Sequence, residues 1–525
     1  MQWSPAPQKR EQMVLFSRRL DDAIAADHNV RLLDAILDRL DWTPWESAYH
    51  GRLGQPAIHP RVLASVLLYG LLTRVRSSRK LEEALHVRLD FLWLAEGRTI
   101  DHTTLSEFRR RHGDALKNLF VQIGQLAREL GWLTLLRLAF DGTRIRANNR
   151  RRGTRTPDEL RQMREELRKK FEELEAQAKA EDARDEEFYG QDGTVPSPPE
   201  LSDARRRLEQ VEAALAELQR VESAGETVPS RIPLTDPQSR LTPNKEGGFA
   251  PNYTPLATVD AASGLIVAAD VVAMTNEDAH LVRQIETVQE DFRLSAPPPE
   301  MLADGANCSG QTLAALEERG VTLYSPVPTM TTNPALRADL TQPVAEKDWD
   351  QLPTDGKQRP QLDKEAFVYD AAQDCYWCPQ GQKLSPVHTT SQNRPAGRMI
   401  WTRYKAEATA CAACPLRARC LKADAKRRQI SRDQYDPHRE RHAQRMATPE
   451  AQAKYAQRQA VGERPFAIIK QHLDGRRFLL RGLQNVRIEW RWLATAFNLQ
   501  RLISLLRARA GPELDLSFLL PLPSS

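Results

Sequence analysis

Apolar residues recur at three- and four-residue spacing through Val30-Arg31-Leu32-Leu33-Asp34-Ala35-Ile36-Leu37 and again across 60–95. Residues 1–130 are therefore predicted to form an all-helical first domain. Within it, Thr104-Leu105-Ser106-Glu107 reads as a capping box opening a short helix that carries Phe108, Arg109, Arg110 and Arg111, after another compact helix starting near Ser78. Two short helices with arginines on the second point to helix-turn-helix contact with DNA through Arg109 and Arg110. An ordinary helical bundle shows the same pattern, and that plainer reading stands beside it.

The pattern then changes. Leu135-Leu136-Arg137-Leu138-Ala139-Phe140 reads as a strand delivering Asp141 to the turn Gly142-Thr143. Runs at 253–259 and 265–274 flank Asp260-Ala261-Ala262-Ser263-Gly264 as a hairpin. A helix follows from about Asn276, a strand through Pro299–Ala303 leads into Asp304-Gly305-Ala306, and a helix at 309–319 precedes the strand Val321-Thr322-Leu323-Tyr324. This order predicts an α/β catalytic domain over 131–510. Two insertions interrupt it: a charged helical hairpin within 150–245, read as a solvated spacer, and a polar, cysteine-containing segment at 325–430. A long basic helical segment, 440–509, completes it, and 511–525 reads as a flexible tail.

Composition sharpens the picture only locally. The chain has 75 Lys+Arg against 70 Asp+Glu, a net +5 that by itself proves no nucleic-acid partner. Residues 421–510, however, hold 20 Lys/Arg and 8 Asp/Glu, and 144–155 holds six arginines and no acid. Arg144, Arg146, Arg458, Lys470, Arg476 and Arg477 in these blocks are candidate phosphate contacts, the alternative being solvated helical faces. The start, Met1-Gln2-Trp3-Ser4-Pro5, lacks a secretory pattern, and the apolar run 62–72 is shorter than the roughly 20 residues a membrane span needs. A cytoplasmic, nucleoid-associated protein is expected.

Asp141 and Asp304 each sit where a strand ends and a small-residue turn begins, the edge at which α/β sheets bind ligands. Carboxylates suit Mg²⁺, which takes oxygen ligands, and two such ions about 3.5–4 Å apart serve in-line phosphoryl displacement. Downstream, Glu463 and Lys470 lie seven residues apart. On a continuous helix that is about two turns, which puts a carboxylate and an ammonium on one face. The bland alternative is that Glu463 merely starts a helix at its positive end, with Pro465 early in it.

With these pieces in view, the chain resembles the DDE-type transposases of bacterial insertion sequences, which have an RNase H-like catalytic core. The resemblance rests on His102-Thr103-Thr104-Leu105-Ser106-Glu107-Phe108-Arg109, Phe140-Asp141-Gly142-Thr143, Met274-Thr275-Asn276-Glu277-Asp278-Ala279-His280, Ala303-Asp304-Gly305-Ala306 and the helix from Glu463 to Lys470. It implies that Asp141, Asp304 and Glu463 are catalytic and bind two Mg²⁺ or Mn²⁺ ions. It also implies cleavage of transposon ends in double-stranded DNA, attack of the freed 3′-hydroxyl on target DNA, and assembly as a homodimer on DNA. The family's Tyr-Arg-Glu-Lys signature is similar to Tyr455, Arg458, Glu463 and Lys470, but Arg458 lies one position farther from the glutamate than the usual spacing.

Of six cysteines, five cluster: Cys375-x2-Cys378, a gap of 32 residues, Cys411-x2-Cys414, then Cys420. Paired Cys-x2-Cys units point to structural Zn²⁺ in a reducing compartment. Cys308 reads as a packing residue, Trp490, Trp492 and Phe497 as core, and His280, His438, His442 and His472 as surface residues. Two other functions remain open at this point, an RNase H-like nuclease that cuts without joining and a transposase-derived DNA-binding protein without catalysis.

Overall fold

The computed structural model describes residues 19–49, 57–149, 153–189, 199–243, 247–273, 278–326, 337–356, 361–394 and 397–510. Residues 274–277, most of the break between the two charged helices, and the tail from 511 lie outside them.

The amino-terminal region is helical: α1 (Asn29–Asp38), α2 (Pro60–Leu72), α3 (Ser78–Val87), α4 (His102–Arg111) and α5 (Gly113–Glu129). α2 is buried along almost its whole length, as its uninterrupted apolar run requires. α4 starts earlier than the expected capping box, because the Asp101 carboxylate accepts from both Thr103 N and Thr104 N and so satisfies two of the helix's free donors. Thr104 thus lies inside the helix. A further short helix, Leu89–Leu94, separates α3 from α4, so the two are not the adjacent pair expected.

Arg109 requires a correction. Its guanidinium turns inward and donates to Arg76 O at 2.8 Å, and burial pulls its pKa below the ordinary arginine value. The reason is the packing of α4: Phe108 stacks on Trp45 at 5.3 Å between ring centres, and Trp492 Nε1 donates to Arg109 O at 3.1 Å. Arg109 is a structural cation, whereas Arg110 is exposed.

Next come β1 (Arg137–Gly142), β2 (Ile145–Arg146), the paired helices α6 (Pro157–Tyr189) and α7 (Pro199–Ser223), and β3 (Arg240–Pro243). They are followed by β4 (Phe249–Asp260), β5 (Ile266–Val272), α8 (Asp278–Asp291), β6 (Glu300–Leu302), α9 (Gly310–Glu318) and β7 (Thr322–Tyr324). The central sheet runs β5-β4-β1-β6-β7, with β2 and β3 also on β4. β5, β4 and β1 pair antiparallel, while β1, β6 and β7 pair parallel. This is the mixed α/β order expected from the sequence. β1 extends through Asp141, which pairs with Ala257, because the long β4 continues past it.

Alternation along β1 sends Leu138 and Phe140 to one face and Ala139 and Asp141 to the other. The first face carries the main core. There the last helix (Leu483–Ala510) joins the sheet to the amino-terminal helices, and one apolar cluster runs from Val30 through Phe140 to Leu506. Trp490, Trp492 and Phe497 are buried in it, and Cys308 packs at its edge, as expected. The helical region is therefore not a separately cored body. α6 and α7 have a small cluster of their own around Leu160, Val211, Ala214 and Leu218.

Beyond β7 the chain forms a second, antiparallel sheet: β8 (Val368–Asp370), β9 (Cys375–Trp377), β10 (Lys383–Arg394), β11 (Gly397–Ala406) and β12 (Gln429–Asp433). It extends a few residues past the expected end of the insertion, since β12 pairs with β11 up to Asp433. The remaining basic segment is several helices rather than one: α10 (Asp436–Met446), α11 (Pro449–Ala456), α12 (Arg464–Gln471) and α13 (Leu483–Ala510). His442 on α10 is fully buried, with Nε2 within hydrogen-bonding distance of Ser325 O at 3.1 Å, so the surface reading fails for it. Among the described residues no helix is long and apolar enough to cross a membrane.

One buried ion pair ties these parts together. Arg76 Nη2 meets Glu489 Oε1 at 2.6 Å with both side chains almost fully enclosed, and Glu489 also accepts from Leu479 N and Leu480 N. Arg76 additionally donates to Asp474 O. A single arginine before α3 thereby holds α13 and the 474–480 segment.

Candidate active site

Ala139 and Asp141 face a second, smaller apolar cluster made with Leu302, Tyr324 and Ala451, against which Tyr455 and Val461 also pack. Tyr455 is thus a packing residue of α11. The register of β1 on β6 pairs Ala139 with Leu302, and carrying it two residues further sets Asp304 beside Asp141 at the carboxyl edge of the sheet. Asp304 Oδ1 accepts from Gly305 N at 2.6 Å at the start of a single 3-10 turn. Asp141 Oδ1 accepts from Gly142 N at 2.9 Å.

Glu463 reaches the same edge through an irregular helix. Residues Gln459–Glu463 form one π turn that leads directly into α12. A π turn holds more residues than an α turn, and such bulges recur at functional sites. Here it takes up the additional residue between Arg458 and Glu463. Arg458 Nη2 donates to Glu463 Oε1 at 3.1 Å, while Nη1 lies 3.6 Å from Asp141 Oδ2. The turn lies close to β1, since a Cβ on Gly462 would stand 3.4 Å from Asp141 Cβ and 3.7 Å from Ala139 Cβ. Seven residues on, Lys470 Nζ donates to Thr143 Oγ1 at 2.6 Å. Glu463 and Lys470 therefore bracket Asp141-Gly142-Thr143. Neither the π turn nor the role of Thr143 was expected, and the unusual Arg458 spacing was the signal of the former.

The electrostatics follow from this crowding. Burial, opposed by Arg458 and reinforced by the charges of Glu463 and Asp304, raises the Asp141 pKa to about 6. Arg458 Nη1 is buried and, among the described residues, has no hydrogen-bond acceptor. Asp141 and Glu463 share one arginine with Asp304 nearby, a set short of positive charge and rich in hard oxygen donors. That chemistry fits a divalent cation such as Mg²⁺. As the side chains stand, no three His, Cys, Asp or Glu among the described residues are drawn close enough to hold an ion.

The raised pKa carries a stability consequence. An acid whose folded pKa lies above its unfolded value binds its proton more tightly in the fold, so stability is lost as pH rises from about 4 through 6 and the cost persists above that. At pH 7.5 with chelator present, Asp141→Asn is expected to stabilise the protein, by up to about 3 kcal/mol at 1.36 kcal/mol per pKa unit. Chemical denaturation measures this, and a destabilised variant would mean that Arg458 compensates the charge fully.

A basic edge adjoins the site. Segment 476–478 runs beside β2, with Arg146 N donating to Arg476 O and Phe478 N to Arg146 O. Arg144 donates to Pro243 O, Arg476 to Lys470 O and Arg477 to Asn148 Oδ1. These neutral acceptors orient the guanidinium groups without cancelling their charge.

Residues 377–503 match the family described as Transposase DDE domain, and residues 18–111 match the Transposase domain (DUF772). The first match spans Arg458, Glu463 and Lys470 but neither Asp141 nor Asp304. No curated protein and no solved structure matches the chain. Together the two family matches support a DDE-type transposase of insertion sequences.

Proposed function

We propose that this transposase cuts transposon ends in double-stranded DNA and joins the freed 3′-hydroxyl to target DNA, with Asp141, Asp304 and Glu463 as its catalytic carboxylates. The observation that supports it best is the meeting of strand-edge Asp141 with Glu463 across Arg458, with Asp304 just past the end of the neighbouring strand β6. The three carboxylates would hold two Mg²⁺ ions, which when bound stabilise the attacking and leaving oxygens of an in-line displacement. Arg458 keeps Asp141 and Glu463 at one edge before DNA arrives. Lys470, anchored on Thr143, places a cation one step from Asp141 for a phosphate of the scissile strand. Arg144, Arg146, Arg476 and Arg477 hold flanking backbone, and Arg110 on α4 is the remaining candidate contact of the helical region. The protein works as a homodimer on DNA, in the cytoplasm at the nucleoid.

The test is direct. A duplex carrying the inverted repeats that flank the coding gene, incubated with protein, Mg²⁺ and a target plasmid, should yield cleaved ends and joined products, neither forming with chelator. Cleavage without joining would favour a nuclease; binding with no cleavage would favour a non-catalytic DNA-binding protein. Replacing Arg476 and Arg477 together with Ala should weaken binding on all sequences and lower the slope of log K against log salt by up to about 2, since each phosphate contact contributes about 0.9. An unchanged slope would place both side chains in solvent rather than on DNA.

A further inference from the structure

Four of the five clustered cysteines meet; the fifth does not. Cys378, Cys411, Cys414 and Cys420 line one small cavity roofed by Leu362 and Phe367. Cys375, although three residues from Cys378, is not on it. Strand alternation explains this: within β9, Tyr376 packs with Leu384 and Tyr404, so Cys375 takes the other face near Lys383, Asp370 and Asp374, while Cys378 lies just past the strand's end. Cys375 is thereby turned away from the cavity that Cys378 lines. The expectation that Cys375 belongs to the metal set is corrected accordingly.

The backbone around the four is shaped for sulfur. After Cys378 the chain makes a tight turn in which Gly381 N donates to Cys378 O at 2.9 Å and Gln382 N to Cys378 Sγ at 3.3 Å. Gly381 holds φ 70°, and a Cβ there would stand 2.1 Å from Thr341 O, so only glycine fits. None of the four forms a disulfide.

We propose that Cys378, Cys411, Cys414 and Cys420 are the four ligands of one structural Zn²⁺, and that Cys375 is not a ligand. Four thiolates from a turn and two short helices make a closed tetrahedral set. In the present rotamers the sulfurs are not drawn to ligand distance of a common point, but each is re-aimed by rotation about a single bond. The ion would fasten the turn between β9 and β10 to segment 411–420, where Arg419 O accepts from Leu362 N at 2.7 Å. It therefore pins the base of the long β10–β11 ribbon. This inference does not depend on the DNA reading, and its readouts involve no DNA.

Metal analysis of the full-length protein, purified without chelator, should find about one zinc per chain. Cys375→Ser should keep it, while Cys378→Ser, Cys411→Ser, Cys414→Ser and Cys420→Ser should each reduce it to background. Because loss of a ligand also loosens the fold, native wild-type protein provides a second measurement: a mercurial reagent should titrate six thiols per chain and release one zinc in all. Zinc retained in Cys378→Ser, zinc lost in Cys375→Ser, iron in place of zinc, or a wild-type protein holding free thiols or disulfides and no metal would each overturn the proposal.

Discussion

Ala at Asp141, Asp304 or Glu463 should each lower cleavage of transposon-end DNA by at least about 1,000-fold, roughly 4 kcal/mol of barrier, while leaving DNA affinity nearly intact. The size follows from the arrangement. Two ions held by three carboxylates lose their common geometry when any one ligand goes, so the double and triple variants should fall little below the singles. Affinity is expected to survive because the cations near the site are separate groups: Lys470 is anchored on Thr143, Arg476 on Lys470 O and Arg477 on Asn148. Removing an acidic group from a phosphate-binding edge should if anything tighten binding, by lowering repulsion. Gel-shift affinity and single-turnover cleavage on the same duplex separate the two effects. A single alanine variant that still cleaves at near wild-type rate would remove that residue from the catalytic set.

The second large effect is expected far from this edge. Arg76→Ala should destabilise the protein by about 3–5 kcal/mol, because removing one partner of an enclosed ion pair leaves the other charge buried without compensation. Glu489 would keep its bonds from Leu479 N and Leu480 N, so the loss should concentrate at the junction of the helical region with α13 and the 474–480 segment. Hydrogen exchange should show faster opening there, while the cysteine-rich sheet, with its separate cluster around Leu352, Tyr376 and Leu384, stays protected. A loss below about 1 kcal/mol in denaturant titration would mean that water reaches Glu489 easily. Replacing Arg76 and Glu489 together by apolar residues should cost less than Arg76→Ala alone.

Periodicity and turn chemistry carried much of the fold. The helical first region, the strand-hairpin-helix-strand-helix-strand order and the candidate catalytic residues are local properties: a buried strand must be apolar, a turn must hold small residues, and a helix repeats its apolar face every three or four positions. Contacts set by distant residues were not legible. Arg109 looks like a DNA-facing residue in the sequence of α4, and only the arrival of Trp45, Trp492 and the Arg76 carbonyl turns it inward. Cys375 matches a metal-ligand spacing, yet the pairing of β9 with β8 and β10 fixes its side of the sheet.

The same division holds at the catalytic edge. Sequence alone determined that Asp141 and Asp304 end strands and that Glu463 precedes Lys470 by two helical turns. Tertiary structure decided that β1 and β6 are parallel neighbours in a register that aligns the two aspartates, and that a π turn brings Arg458 onto both Asp141 and Glu463. The physical reason is the range of the forces involved. Secondary structure answers to neighbours within a few residues, whereas strand register and the side on which a charge ends depend on which distant surfaces must be covered for the whole chain to bury its apolar area.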